Sequence, residues 1–535
     1  MISNLGTLKQ KKKVDNAIIL AAGFGSRMVP ITYEKPKALI PIFGTPLIER
    51  QIEQLIEKDV SDIIIVVGHM KESFDYLVKK YSVKLIENPE FAIKNNLSSL
   101  YIVRDYLRNS YVTLSDLYFD QNIFNREEEK NWIGCKYFDG ETEEWCVTTD
   151  EAGIIESIII GGKDSAALVG PAYFTEELSE KFKDYLDEYY HTEGTEGLYW
   201  ENILIDKIAE IEMYENDLSG NLHEFETLTE LKDYDESFKT NSGSEILEYI
   251  AKIHKATEED IANIIPLTSG MTNQSMIYEI AGEKYVFRLP GAGTDKLIDR
   301  SCEKRTYELL QPYDITDEIV YFDDVNGRKI SKYYEGARPM NPTDDDDFVL
   351  SMNKIRVLHE QGMKVDYRFD IEGKIDFYQK ICDEIDAIRF TDIEETKMKV
   401  GELLKFRNEL AIPEILCHGD TVYNNILLLE NGDCRVIDWE YCGAGDPIMD
   451  VAMFDIYAYY DREHIDRSLE LYLGKEPSNQ ERARLYLYIA LGGYLWSLWT
   501  EYKEAFGDNF GDYSRTMYNY LKDYYDILKN EGFLW

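Results

Sequence analysis

Two kinds of hydrophobic pattern follow one another along the chain. Over roughly the first 235 residues, short apolar runs alternate with amphipathic helical stretches. Ala17–Ala22 reads as a strand, and Thr45-Pro46 as an N-cap and first helical position. Leu47, Ile48, Ile52, Leu55 and Ile56 then fall on one helical face. Ile63–Val67 is a continuous β-branched run, as expected of a strand buried on both sides in a parallel sheet. Strand, helix and strand in that order predict an α/β domain with right-handed crossovers.

The pattern changes after the polar stretch Asp233–Ser244, which contains Asn241-Ser242-Gly243-Ser244. This places a first domain at 1–235, a linker at 236–246 and a second domain at 247–535. Met276–Ile280 and Lys284–Leu289 predict a hairpin around Ala281-Gly282-Glu283. From about Asn341 long helical patterns dominate, broken by a loop-and-strand block at Leu416–Asp438. The second domain is thus a small β-rich lobe to about residue 336 and a helical lobe over 337–535. The acidic run Asp344–Asp347 reads as a solvated loop, and no internal repeat is visible.

A length of 535 residues calls for two or three domains, and an apolar share of 44% is ample to bury their cores. The net charge of −43 repels nucleic-acid backbones and anionic headgroups, so neither is an expected partner. Seven scattered Cys, with no CxxC or Cys/His spacing, read as reduced thiols. The basic run from Lys9 leads into no apolar leader, and no segment is apolar for the roughly 18–20 residues a membrane helix needs. A cytoplasmic protein without membrane insertion is expected; its oligomeric state is left open.

Candidate chemistry appears first in Leu20-Ala21-Ala22-Gly23-Phe24-Gly25-Ser26-Arg27, directly after the first strand. Glycines at 23 and 25 let backbone N–H groups approach a polyphosphate closely. The third glycine of a dinucleotide fingerprint and the Gly-Lys-Ser/Thr of a Walker loop are both missing. Pro30-Ile31-Thr32 and Lys35-Pro36-Lys37 follow instead, so the loop carries two cations, Arg27 and Lys37. That set suits attack at an α-phosphate with pyrophosphate leaving.

The string resembles the signature GxGxRxxPxTxxxPK of nucleotidyltransferases that activate sugar phosphates and phosphocholine, over about the first 230 residues. The resemblance implies a Rossmann-like, mostly parallel sheet with flanking helices. It implies that Leu20, Ala22, Gly23 and Gly25 hold the nucleotide, and that Arg27 and Lys37 bind its phosphates and the substrate's. Asp116, after Val112-Thr113-Leu114-Ser115, matches the family's Mg²⁺ aspartate, and Glu226 stands where a second acidic ligand is usual. Asn95–Leu100, with Asn96 and Ser99, resembles the base-recognition loop of the phosphocholine branch and implies CTP. Glu144-Trp145 and Leu198-Tyr199-Trp200-Glu201 resemble its choline pocket, with Trp145, Tyr199 and Glu201 as candidate headgroup contacts. Aromatic faces and carboxylates suit a quaternary ammonium, which has no N–H to donate. The same aromatics are also read as ordinary core residues.

The second candidate site is Leu416-Cys417-His418-Gly419-Asp420-Thr421-Val422-Tyr423-Asn424-Asn425. Its Asp420 and Asn425 have the spacing of a kinase catalytic loop, which puts a base at the attacking hydroxyl and an amide oxygen on Mg²⁺. The strand Arg435-Val436-Ile437 then delivers Asp438, in the place of a kinase metal carboxylate.

These residues, with Trp439-Glu440, resemble the choline kinase and aminoglycoside phosphotransferase group over about 245–535, implying a bilobal protein-kinase-like fold. On that resemblance Asp420 is the base, Asn425 and Asp438 hold Mg²⁺, and His418 orders the loop. Ser269–Asn273, with Thr272 and Asn273, covers the ATP phosphates; Arg288 stands at the usual lysine position with Glu303 to orient it. Lys332–Gly336 is the candidate hinge. Trp496 and Trp499 share a helical face, where core packing is the default and a choline box the functional reading, with Glu440 and Tyr441 completing it. Together the halves imply phosphorylation of choline by ATP and transfer of CMP from CTP to phosphocholine. Ethanolamine, phosphoethanolamine or 2-aminoethylphosphonate remain alternative substrates, and a regulatory protein with one inactive site is the reading from another class.

Overall fold

The computed structural model describes residues 11–267, 273–291, 298–410, 412, 414–506 and 510–534. The chain forms two compact units, 1–266 and 267–535. The division falls later than the polar stretch at 236–246, which belongs to the first unit. There Phe238, Ile246, Leu247 and Ile250 are buried, and Glu34 Oε1 accepts the backbone N–H of Ile246 at 2.9 Å. A polar run of this kind carries enough apolar anchors to fold back onto the unit that precedes it.

The first unit is built on a seven-stranded sheet. Its strands run in the order Tyr214–Asp217, Trp132–Thr149, Ile155–Phe174, Ser110–Leu114, Asn16–Ala21, Ile63–Val67 and Lys84–Glu87. The four strands at the end of this order pair in parallel around Asn16–Ala21, apart from the antiparallel entry of Ile155–Phe174 against Ser110–Leu114. The sheet is therefore mixed, because the long hairpin of Trp132–Thr149 with Ile155–Phe174 is antiparallel. Ile63–Val67 is wholly buried, as its β-branched run requires. The next helix begins at Leu47 rather than Pro46, since Thr45–Pro46 is taken by a short strand paired with Pro41–Ile42. Leu47, Ile48, Ile52 and Leu55 are buried, but Ile56 lies at the edge of the apolar face and is exposed.

The second unit opens with a hairpin of Asn273–Ile280 and Glu283–Pro290. Its two turn residues, Ala281 and Gly282, both have positive φ, which matches the twist of the strands they join. Lys329–Lys332 and Ile319–Phe322 extend this antiparallel sheet. Beyond Lys332 the chain passes into a helical lobe. Asp344–Asp347 is not a loop there: Asp344 caps the helix Asp345–Glu360 and Asp347 is buried against Arg338 at 2.5 Å. Acids at a helix start offset the macrodipole, which explains the run. Asn479–Glu504, capped by Ser478 and Glu481, is buried on nearly every face and forms the centre of the lobe. Among the described residues, no helix is long and apolar enough to cross a membrane.

Candidate active sites

In the first unit the glycine loop leaves the strand Asn16–Ala21 at the carboxyl ends of the parallel strands, the usual crevice for a ligand in such a sheet. Leu20 O accepts from Ser115 N at 3.0 Å, and Ala22 is buried with its carbonyl accepting from His69 N at 3.0 Å. Gly23 is exposed, with open space where a Cβ would stand. Gly25 has φ +63°, and a Cβ there would meet Lys37 Cβ at 3.0 Å and Thr32 Cγ2 at 3.1 Å. Glycine is required because Lys37 packs directly on the loop.

Lys37 Nζ reaches Asp116 Oδ2 at 2.7 Å and Arg27 Nη1 reaches Glu226 Oε1 at 2.5 Å, so the four charged residues named from the sequence form two ion pairs. Glu224 belongs with them and was missed. It pairs in register with Leu117, beside Asp116, and its carboxyl feels the charge of Glu226. Its side chain is exposed at the surface, yet many protein atoms surround the carboxyl. That enclosure, and then the Asp116 carboxylate, push its carboxyl up, while Lys37 pulls it down. The clustered oxygens suit a hard divalent cation.

Asn96 starts a helix whose cap is Asn95; its Oδ1 accepts from Trp200 N at 2.9 Å, and its side chain also bonds Glu201. Ser99 is buried and accepts from Asn88 Nδ2 at 3.0 Å, so it braces the wall rather than facing the cleft. Trp145 and Tyr199 meet edge to face at 5.7 Å. Trp200, by contrast, is fully buried between Phe174 and Phe182 and is core. Glu201 is 5% exposed, its Oε2 has no hydrogen-bond partner, and burial pushes its carboxyl up to about 8.

In the second unit, His418-Gly419-Asp420 follows the strand Ile415–Cys417. Asp450, on the helix Pro447–Tyr457, accepts from His418 N at 2.7 Å, Gly419 N at 2.8 Å and His359 Nε2 at 3.0 Å, and its carbonyl accepts from Thr421 Oγ1. His418 donates through Nε2 to Ile437 O at 2.9 Å and accepts at Nδ1 from Asp420 N at 3.2 Å. Both ring nitrogens are thereby committed to shaping the loop. Gly419 has φ +81°, and a Cβ would stand 2.4 Å from Tyr441 O.

Asp420 Oδ1 is buried with no hydrogen-bond partner, and burial followed by the negative charges of Asp438 and Glu440 pushes the carboxyl up to about 7. Asn425 donates Nδ2 to Asp420 O at 3.1 Å, which leaves its amide oxygen as the atom for a cation. Asp438 sits at φ +66°, a strained conformation for a residue other than glycine, and takes Arg288 Nη1 at 3.1 Å. Arg288 forms a fork on Glu303 at 2.6 and 2.9 Å. Glu440 pairs with Arg300 at 2.5 Å and Arg288 at 3.2 Å, and accepts from Asn273 Nδ2 at 2.8 Å. Two buried guanidinium groups draw a carboxylate more strongly than ring edges can. Thr272 lies outside the described residues.

Trp496 meets Tyr441 at 5.9 Å, Tyr457 at 5.8 Å and Trp499 at 6.1 Å, and Tyr457 also meets Tyr513 at 6.0 Å and hydrogen-bonds Asp420. The expected Trp pair is therefore part of a five-ring wall at the base. Tyr457 and Tyr513 gave no sequence signal, because tyrosines are abundant throughout this chain. Arg300 and Asp450 were equally invisible, since each acts through residues distant in sequence.

The profile of the MobA-like NTP transferase domain matches residues 17–126, and that of choline/ethanolamine kinase matches residues 264–487. Choline-phosphate cytidylyltransferase of Streptococcus pneumoniae is 37% identical over 227 residues, covering 42% of this chain and 99% of that protein. The chain is a MobA-like NTP transferase fused to a choline kinase-family domain. The 2-aminoethylphosphonate cytidylyltransferase of Lancefieldella rimae is 35% identical over 228 residues, covering 42% of this chain and 93% of that one. The crystal structure of the choline kinase LicA from Streptococcus pneumoniae is 27% identical, covers 53% of this chain and 100% of that one, and superposes with a TM-score of 0.47. This NTP transferase–kinase fusion is an enzyme of the transferase class.

Proposed function

We propose that the second unit phosphorylates choline from ATP and that the first unit transfers CMP from CTP to the phosphocholine formed, giving CDP-choline and pyrophosphate. The observation that carries the substrate is the composition of the aromatic wall. Tyr441, Tyr457, Trp496, Trp499 and Tyr513 form a continuous set of rings that reaches Asp420 through Tyr457, with Lys374 Nζ over the Tyr441 ring at 4.7 Å, while Glu440 is committed to Arg288 and Arg300, and Glu501 to Arg389 at 2.6 Å. Ring faces hold a cation without accepting hydrogen bonds, which suits a trimethylammonium better than a primary ammonium.

The substrate hydroxyl is oriented to Asp420 Oδ1, which takes its proton as the oxygen attacks the γ-phosphorus and the bond to ADP breaks. In the first unit a phosphate oxygen attacks the α-phosphorus of CTP, the bond to pyrophosphate breaks, and Arg27 and Lys37 neutralise the charge that develops. Asn425 and Asp438 are the residues that would hold Mg²⁺ in one site, and Asp116 with Glu224 or Glu226 in the other. When bound, the ion supplies charge neutralisation at the phosphates.

A second reading applies to the first unit alone. The unpartnered, buried Oε2 of Glu201 would accept an N–H, which favours phosphoethanolamine or 2-aminoethylphosphonate. Incubation with ATP, CTP and Mg²⁺ plus each alcohol or phosphonate, followed by phosphorus NMR, separates these readings. Phosphocholine and CDP-choline are expected; preferential turnover of ethanolamine by the kinase unit would overturn the choline assignment.

A further inference from the structure

The glycine loop is held in place by a residue outside the sequence signature. We propose that His69 is the positioning residue that clamps the nucleotide-binding loop of the first unit, an inference that rests on the nucleotidyl-transfer reading. His69 lies just past the strand Ile63–Val67 and touches both arms of the loop. Its backbone N–H donates to Ala22 O at 3.0 Å, before the glycines, and its ring Nε2 lies 3.3 Å from Thr32 O, after them. A carbonyl only accepts, so Nε2 carries the hydrogen. Burial holds the ring's pKa below its ordinary value, in keeping with a neutral donor.

The clamp continues toward the cations. Thr32 Oγ1 donates to Gly25 O at 3.0 Å, and its methyl carbon lies where a Cβ on Gly25 would have to go. Lys37 crowds the same Cβ position of that glycine, its Cβ 3.0 Å away, and reaches Asp116. Phe24, on the loop, meets the His69 ring at 4.7 Å and Phe91 at 5.2 Å, both at a tilt. Gly68 makes this approach possible, because a Cβ there would stand 2.6 Å from Phe91 Cγ and 2.8 Å from Ala22 O. The loop has no strand partner between Ala22 and Thr32, so these contacts add to its own short turns in fixing the direction of its N–H groups. Ordering them in advance lowers the entropy lost when a triphosphate binds.

Two substitutions separate the hydrogen bond from the packing. His69→Phe keeps a ring against Phe24 and Phe91 but removes the donor, whereas His69→Gln keeps a neutral N–H at a similar reach. With the full chain, His69→Phe should raise the KM for CTP about five- to tenfold. The KM for phosphocholine, the kinase turnover and the melting temperature should stay at wild-type values. His69→Gln should recover most of the CTP affinity. A wild-type KM for CTP in His69→Phe, or equal losses for both variants, would overturn the clamp. A wild-type chain that forms no CDP-alcohol from any phospho-alcohol would sink the underlying reading instead.

Discussion

The two sites hold their cations in opposite ways. In the first unit Arg27 and Glu226 have side chains 66% and 43% exposed, Lys37 and Asp116 14% and 23%, and each pair is a single contact beside the glycine loop. In the second, Arg288 and Glu303 are 6% and 0% exposed and belong to a network with Arg300, Asp438 and Glu440. An exposed pair exchanges partners readily, so Arg27 can leave Glu226 at little cost, whereas Lys37 is held on Asp116 in a largely buried position. A buried network cannot exchange partners so readily, which holds the Arg288 guanidinium between Glu303 and Asp438.

The largest expected effect tests whether the two sites work separately. Asp420→Asn should lower kinase turnover about a thousandfold with the choline KM nearly unchanged. Lys37→Ala should lower cytidylyl transfer about a hundredfold. Each should leave the other activity intact in paired assays, and a shared loss would break the comparison.

Next comes stability. Glu303→Gln leaves the Arg288 and Arg300 guanidinium groups under-compensated in a buried position and should destabilise the kinase unit by about 3 kcal/mol in urea titration. Glu226→Gln removes an exposed partner and should shift the urea midpoint of its own unit by less than about 1 kcal/mol. Equal shifts would show that exposure does not separate the two networks.

A third test concerns the headgroups. Trp496→Ala should raise the choline KM about tenfold, since one ring face of the wall is lost. Glu201→Gln should change the KM for phosphocholine less than that for 2-aminoethylphosphonate, because only the latter offers N–H donors.

The smallest effect is a pH dependence in the helical lobe. Asp455 is fully buried, its Oδ1 is unpartnered, and Ser468 Oγ lies 2.7 Å from its Oδ2 and 2.8 Å from Ile465 O. Ser468 has one hydrogen, so a protonated Asp455 donating to it satisfies both contacts. Burial holds this carboxyl well above the usual range. A raised acid means the folded chain binds more protons than the unfolded one, so stability falls as pH rises from the ordinary aspartate range toward the folded value. Asp455→Asn should therefore gain a degree or two in melting temperature over wild type at pH 8 and nothing at pH 4; an equal difference at both would refute the protonated state.

Some of this was legible in one dimension because the chemistry is local. The run Gly23 to Lys37 and the spacing Asp420, Asn425, Asp438 each lie within a few turns of chain, and backbone geometry alone brings such residues together. Likewise Ile63–Val67 and the Ala281-Gly282 turn follow from β-branching and from positive φ, which are properties of single residues. What the tertiary structure decided is which distant partner each charge or ring meets. Glu440 went to Arg300 rather than to the tryptophans, Trp200 went to the core while Tyr199 stayed at the rim, and Asp450 and His69 became anchors of loops elsewhere in the sequence. Partner choice depends on desolvation and on distances between elements, and neither is written in the order of the residues.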